Sequence, residues 1–280
     1  MPYTTTFSML KQAQKGGYAI GAFNVENLEM IQAVIEAANE QNTPVILQTT
    51  PSTVKYTGLL SMAAAVKALA STANIDIALH LDHGTDYGLC MRAIQAGYSS
   101  VMIDGSRLSF EENMDITSKV ATTCAICSVP VEAELGAVGG KEDGLEGGSG
   151  GYTVPEEAAE FIKRTGCTSL AIGIGTAHGV YAETPVLDIK RLSRIQALVD
   201  IPLVLHGASG LCDEDITDCI KRGITKVNFA TELRAAYTKG VKDVLQNQPD
   251  AIDPKIYSAQ GRENVKQFVI QKIKLLGGGV

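Results

Sequence analysis

The sequence predicts a (β/α)8 barrel with an extra C-terminal helix, a single domain over residues 1–280. Three observations carry this. Short apolar runs alternate with amphipathic stretches about eight times, the count and length of an α/β barrel. The runs are almost continuously apolar, as strands covered on both faces must be. The first run is followed by Asn24-Val25-Glu26-Asn27 and not by a G-x-G-x-x-G turn, which speaks against a doubly wound sheet.

In chain order, Tyr18–Val25 reads as the first strand, ending at Asn24, and Glu26–Gln41 has helical periodicity. Pro44–Thr50 and Gly58–Ser71 repeat the pair, then Asp76–Leu81 with Tyr87–Ala96, and Ser99–Asp104 with Ser109–Ala125. Pro130–Leu135 is the fifth strand. The helix after it, Pro155–Thr165, has Pro155 early in its first turn, Thr153 as candidate N-cap and Glu156 three residues later. Thr168–Gly173 with Asp188–Leu198, Ile201–His206 with Asp213–Arg222, and Thr225–Ala230 with Thr231–Gln246 complete the eight. A last helix spans about Gly261–Leu275.

Composition narrows the function. Net charge is −7 without a basic run, which argues against nucleic acid as the main partner. No apolar run approaches the ~18 residues of a membrane span, and the N-terminus has no signal pattern, so a cytoplasmic, membrane-free protein is expected. Cys124 and Cys127 form a lone C-x-x-C in a helical pattern, and a zinc ribbon would need a second pair. The six cysteines are read as sitting in a reducing context, and the Cys124–Cys127 pair as buried reduced thiols.

Polar residues interrupt the runs at the ends where barrel enzymes keep their chemistry: Asn24, Gln48, Thr50, Asp82, His83, Asp104, Glu132, Glu134, His178, His206 and Asn228. Polar groups there carry a desolvation cost unless paired, so many on one rim point to a ligand. His83, His178 and His206 each end an apolar run and precede glycine, and three imidazoles with an open position suit catalytic zinc. His80, three residues before His83, should face the opposite side of the pleat as core or support. Asp82 could be a fourth ligand, an orienting group, a general base or a structural cap. The glycine-dense stretch Gly136–Gly151 carries Glu142, Asp143 and Glu146 and reads as a mobile lid bearing an acid, or as a plain surface loop. His206–Gly210 and Asn228–Thr231 follow the seventh and eighth strands, where barrels hold phosphate, with Gly175 and Gly179 in the neighbouring loop.

These residues resemble the class II, metal-dependent ketose-bisphosphate aldolases, the fructose- and tagatose-bisphosphate aldolase family. G-Y-A-I-G-A-F-N-V, L-H-L-D-H-G, V-E-A-E-L-G-A-V-G-G-K-E-D, G-I-G-T-A-H-G, L-V-L-H-G-A-S-G and V-N-F-A-T match its motifs in order over nearly the whole chain, at the length of the tagatose-type branch. The resemblance implies aldol cleavage of a ketose 1-phosphate or 1,6-bisphosphate to dihydroxyacetone phosphate and an aldehyde such as glyceraldehyde 3-phosphate. It implies one catalytic Zn2+ on His83, His178 and His206, with Glu134 near an alternative metal position. Asp82 would take the proton from the C4 hydroxyl and Glu142 exchange one with the enediolate carbon. Gly179, Gly207, Ser209 and Thr231 would hold the phosphate end and Asn228 a hydroxyl, with Asn24, Gln48, Thr50, Ala208 and Ala230 completing the substrate set. A monovalent cation, Na+ or K+, near the phosphate and a homodimer or homotetramer are also implied. The metal-free alternative needs a Schiff-base lysine, and Lys226 lies too deep in its strand for that.

The sequence departs from the family on the aldehyde side. Ala259 stands where tagatose-type members place a neighbouring subunit's arginine, with Arg262 one turn on as the distal-group candidate, and Gln48-Thr49-Thr50-Pro51 replaces A-G-T-P. A non-phosphorylated or sugar-acid aldehyde therefore stays open beside glyceraldehyde 3-phosphate. Another metal-dependent barrel enzyme, and a non-catalytic zinc-binding subunit of an aldolase complex, are the remaining readings.

Overall fold

Apolar runs that cannot cover both faces alone must be wrapped by helices, and the chain does this by alternating the two. The structure, a computed structural model, describes residues 2–142, 145–146, 151–179 and 185–277, with backbone alone for 141, 142, 145 and 146.

The chain begins with α1 (Thr6–Gly16), β1 (Ile20–Asn24), α2 (Leu28–Glu40), β2 (Val45–Thr49), α3 (Pro51–Thr57) and α4 (Leu59–Ala70). Asn27 starts α2 by accepting from the Met30 N–H, and Pro51 occupies the first turn of α3. Next come β3 (Ile77–Gly84), α5 (Tyr87–Ala96), β4 (Ser100–Ile103) and α6 (Phe110–Ile126), the last opened by a capping box between Ser109 and Glu112. β5 (Val131–Leu135) leads into two short strands, β6 (Gly139–Glu142) and β7 (Leu145–Glu146), then α7 (Pro155–Thr165). β8 (Ser169–Ile172), β9 (Ala177–His178), α8 (Ile189–Leu198), β10 (Leu203–Leu205), α9 (Asp213–Lys221), β11 (Ile224–Phe229), α10 (Thr231–Asn247) and α11 (Pro254–Leu275) finish the fold.

Eight parallel strands close in the order β1-β11-β10-β8-β5-β4-β3-β2, the predicted barrel. β1 pairs with both β11 and β2, so the first and last barrel strands meet at one seam. The main core lies between barrel and helices and includes Phe23, Val34, Leu47, Val66, Leu81, Phe161 and Phe229, all fully buried. Among the described residues, no helix is long and apolar enough to cross a membrane.

A second cluster sits inside the barrel, where α1 brings Met9, Leu10 and Ala13 against Ile20, Ala22, Ile46 and Ala78. α1 was not among the predicted elements, since its apolar face is only three residues wide. Its Thr6 hydroxyl shares a 3.0 Å hydrogen bond with Ser100, and Ser100 shares one of 2.8 Å with His80 Nδ1. The plug thus meets a polar layer halfway up the barrel.

The structure corrects several readings. Thr153 does not cap α7: Val154 holds the N-cap position, and the Thr153 hydroxyl donates to the Leu135 carbonyl and accepts from the Gly173 N–H at 2.8 Å. α11 starts at Pro254, capped by Asp253, one full turn and more ahead of Gly261. Of the C-x-x-C pair, Cys124 is a buried free thiol but Cys127 is exposed, because it follows the end of α6; Cys90, Cys167 and Cys219 are also buried free thiols, and Cys212, at the start of α9, is exposed.

Candidate metal centre and active site

The three predicted histidines come together. His83 on β3, His178 on β9 and His206 just after β10 offer ligand atoms that all lie within 4.8 Å of one another. Their ring centroids are 4.8 Å (His83–His206), 5.0 Å (His83–His178) and 5.9 Å (His178–His206) apart. Three convergent imidazole donors without a thiolate suit zinc, so the donor set fits the expected ion. His83, Asp104 and Glu134 make a second group within the same 4.8 Å, so His83 is common to both. Its Nδ1 lies 2.8 Å from Asp104 Oδ2, and burial of Asp104, which opposes its charge, is outweighed by this bond to His83, leaving the carboxyl well below the usual range.

The pleat alone would turn His83 away from His80. It does not, because pairing of β3 with β4 shifts register between Leu81 and Gly84, and His83 adopts a left-handed φ of 49°. The irregularity brings an odd-numbered position back to the rim. His80 stays in the barrel interior, fully buried, with Nε2 3.7 Å from Glu132 Oε2. Burial, then the Lys226 ammonium, pushes His80 down to about 3, so it is neutral support and not a ligand.

His206 is held at both nitrogens. Nε2 lies 2.9 Å from Glu132 Oε1 and Nδ1 3.1 Å from Glu134 Oε2. Burial would lower its pKa, but the two carboxylates outweigh it and raise it to about 9. Lys226 donates to the other Glu132 oxygen at 2.8 Å. Burial disfavours the Glu132 charge, yet Lys226 and the histidines hold it well below the usual carboxylate range. Glu134 is raised, first by burial and then by the Asp104 carboxylate. Nε2 thus faces the barrel interior and Nδ1 faces the side that Glu134 shares with His83.

Asp82 is fully buried one residue before His83. Asn24 donates to its Oδ2 at 2.8 Å, Gln48 to the same oxygen at 3.1 Å and Asn228 to Oδ1 at 3.2 Å. Gln48 also donates to Asn24 Oδ1 at 2.8 Å. Three residues predicted to touch substrate therefore also form a cradle for the carboxylate. Among the described residues, Gln48 Oε1 and Asn228 Oδ1 remain buried acceptors without a hydrogen-bond partner.

Beside this cradle lies a cleft lined by Asn24, His178, Gly179, Gly207, Ser209, Asn228, Ala230, Thr231 and Arg234. Gly207 has φ 66°, and a Cβ there would sit 2.5 Å from the Ala177 carbonyl, so the loop must approach β9 with glycine. Gln48, Thr50 and Ala208 do not line the cleft. Thr50 packs before α3, its hydroxyl 3.3 Å from those of Ser52 and Thr53, and Ala208 is in the core.

Part of the glycine-dense stretch forms a small sheet. β6 pairs in parallel with β9, Gly139 opposite Ala177 and Gly140 opposite His178, and antiparallel with β7. Gly140 has φ 89°, and an added Cβ would collide with the His178 backbone. Glu142 ends β6, but its side chain and that of Glu146 lie outside the described residues, as does Asp143. Arg262 lies on α11, where Nη1 donates to Gln32 at 3.0 Å and Nη2 pairs with Glu36, both on α2.

Sequence reasoning missed Arg234, and it did not give Glu132 and Lys226 their place beneath His206. The signals were present: Lys226 lies two residues before Asn228 on the same strand face, and Arg234 three after Thr231 on the same helix face.

Comparison with known proteins agrees with this geometry. A family model, fructose-bisphosphate aldolase class-II, matches residues 4–279. The crystal structure of the YdjI aldolase from Escherichia coli K12 is similar at 36% identity and a TM-score of 0.89, over 99% of this chain and 98% of that one. A fructose-bisphosphate aldolase from Campylobacter jejuni is similar at 26% identity and a TM-score of 0.83, over 98% of this chain and 95% of that one.

Proposed function

Since the chain belongs to the class II fructose-bisphosphate aldolase family and is a carbon–carbon lyase, we propose that it is zinc-dependent and releases dihydroxyacetone phosphate from a ketose 1-phosphate or 1,6-bisphosphate. The observation that carries this is His178, which belongs to the histidine trio and also lines the Gly207–Ser209–Thr231 cleft. Metal and phosphate subsites then share a wall, as cleavage next to a phosphorylated donor half requires.

His83, His178 and His206 would hold the zinc. When bound, the ion supplies Lewis-acid stabilisation of the negative charge that develops on the donor half. Asp82 takes the proton from the C4 hydroxyl as the C3–C4 bond breaks, and the electron pair passes to the donor half. The Asn24, Gln48 and Asn228 amides hold Asp82 as an acceptor, because each turns an N–H toward it. Glu142, on the resemblance, returns a proton to C3. Gly179 after β9, Gly207 and Ser209 after β10, and Thr231 at the start of α10 bind the phosphate through N–H and hydroxyl groups, with Na+ or K+ alongside.

A second reading keeps the same donor half but takes a non-phosphorylated or sugar-acid aldehyde. It is favoured by Arg262, engaged with Glu36 and Gln32 of its own chain; a distal-phosphate role in a neighbouring subunit would need those bonds exchanged. We assign the protein to a reducing, cytoplasmic setting on its six unpaired cysteines, and to a homodimer or homotetramer on the family resemblance.

The test is a panel of ketose phosphates assayed for dihydroxyacetone phosphate release, with and without chelator. Activity lost to chelator and restored by zinc supports the proposal. Borohydride trapping of a substrate adduct on lysine would overturn it.

A further inference from the structure

The cleft beside His178 contains a cation that neither the histidine trio nor the Asp82 cradle uses. Arg234 stands on the first turn of α10 and lines the cleft with Gly207, Ser209 and Asn228. Its Nε and Nη2 both lie 2.6 Å from Glu26 Oε1, while Nη1 has no hydrogen-bond partner among the described residues. The second Glu26 oxygen accepts from the Thr53 hydroxyl at 2.8 Å. Glu26 is thus gripped from α3 on one side and fixes one edge of the guanidinium on the other. The remaining edge is oriented before any ligand arrives, which lowers the entropy cost of binding. The side chain is 38% exposed, so that edge can be reached from the cleft.

A separate feature says what kind of ligand fits. Asn228 is 7% exposed and lines the same cleft, yet its Oδ1 has no hydrogen-bond partner among the described residues. A buried acceptor of this kind calls for a donor, such as a hydroxyl. The ligand that satisfies both groups is anionic at one end and hydroxyl-bearing at the other. On a chain of net charge −7, a fixed local cation also lets a dianion approach.

We infer that Arg234 is the charged contact for the phosphoryl group of the donor half, the residue by which the cleft prefers a phosphorylated over a non-phosphorylated donor, and that Glu26 is its positioning residue. This rests on the phosphate reading of the cleft given above. Arginine suits the task because it stays charged and its planar fork presents several N–H groups to oxyanions.

The experiment compares the zinc-loaded wild-type chain with Arg234→Ala, Arg234→Lys and Glu26→Gln. Inorganic phosphate serves as competitive inhibitor, and dihydroxyacetone phosphate and dihydroxyacetone as alternative donors in the condensation direction. Arg234→Ala is expected to weaken phosphate inhibition and raise KM for dihydroxyacetone phosphate by about 10- to 100-fold, with a much smaller change in kcat. The KM ratio between the two donors should collapse in step. Arg234→Lys keeps the charge but not the fork and should fall between; it carries the test if the alanine variant melts early. Glu26→Gln should raise KM by a smaller factor, because the guanidinium is present but no longer aimed. Phosphate that inhibits wild type and Arg234→Ala equally, or a loss confined to kcat, overturns the inference and leaves the phosphate cleft standing. Phosphate that fails to inhibit wild type overturns the reading of the cleft itself, and this inference with it.

Discussion

Lys226 donates to Glu132 across 2.8 Å in the middle of the barrel, with both side chains closed off from solvent. The other Glu132 oxygen holds His206 Nε2, so the ion pair fixes which face of that ring is left for a metal. Lys226→Met leaves a buried carboxylate without its partner and should cost about 3–5 kcal/mol of unfolding free energy in denaturant titration. Glu132→Gln removes the charge while keeping the shape. It leaves the buried Lys226 ammonium without a counter-charge, so it should cost a similar amount of stability, and it should lose about 10- to 100-fold in zinc affinity, measured by competition with a chelating dye.

Asp82→Asn separates proton transfer from metal binding. An asparagine brings an N–H₂ into a site built of donors, so it fits poorly with Asn24, Gln48 and Asn228. Turnover should fall by about 10²- to 10⁴-fold, while zinc content per chain stays near that of the wild type. Loss of zinc in proportion to turnover would move Asp82 from base to ligand.

The metal-free protein should bind zinc more tightly as pH rises. His206 is held at about 9 by its two carboxylates, so at neutral pH an incoming ion must displace a proton from it. Apparent affinity should climb by about tenfold per pH unit up to near 9, and titration in two buffers of different ionisation enthalpy counts the proton. For stability the sign is opposite. A raised histidine stabilises fully below its unfolded value of about 6.5, and this is lost as pH rises through about 9. His80, lowered to about 3, stabilises above 6.5 and loses that as pH falls toward 3. From these two groups, the melting temperature of the metal-free chain should be highest near pH 6.5.

Gly140→Ala tests whether the glycine-rich stretch is a working part. Its φ of 89° and the collision of a Cβ with His178 oblige β6 to leave β9. A shift of about 1 Å at this place should cost on the order of 10²-fold in kcat. The melting temperature should move little, since the small sheet lies outside the barrel.

The barrel was legible because its cause is local: apolar runs of strand length and helix-period stretches alternate, and Tyr87–Ala96 and Pro155–Thr165 appear with the residues that patterning assigned. The three histidines were legible because each closes a run before glycine. What escaped depends on contacts across the barrel. α1 has a narrow apolar face whose reason is the barrel's open end. The turn of His83 toward the site rests on a register shift with β4, which no period within β3 encodes. Arg234 looks like an ordinary helical arginine until Glu26, 208 residues away, fixes it beside the cleft. Asn24 and Gln48 read as ligands for substrate, and their bonds to Asp82 appear only when β1, β2 and β3 lie side by side.

The Asp82 cradle has a consequence for how the enzyme comes into being. Its donors sit on β1, β2 and β11, and Asp82 on β3, so the four strands flank the line where the first strand of the barrel meets the last. Asn228 joins Asp82 from 146 residues further along the chain. A chain still emerging from synthesis, or one truncated before β11, has the first three strands and their side chains but lacks this final amide. With Asp82 in the proposed role, full activity would need the complete circle, and turnover would report that synthesis and closure have both finished.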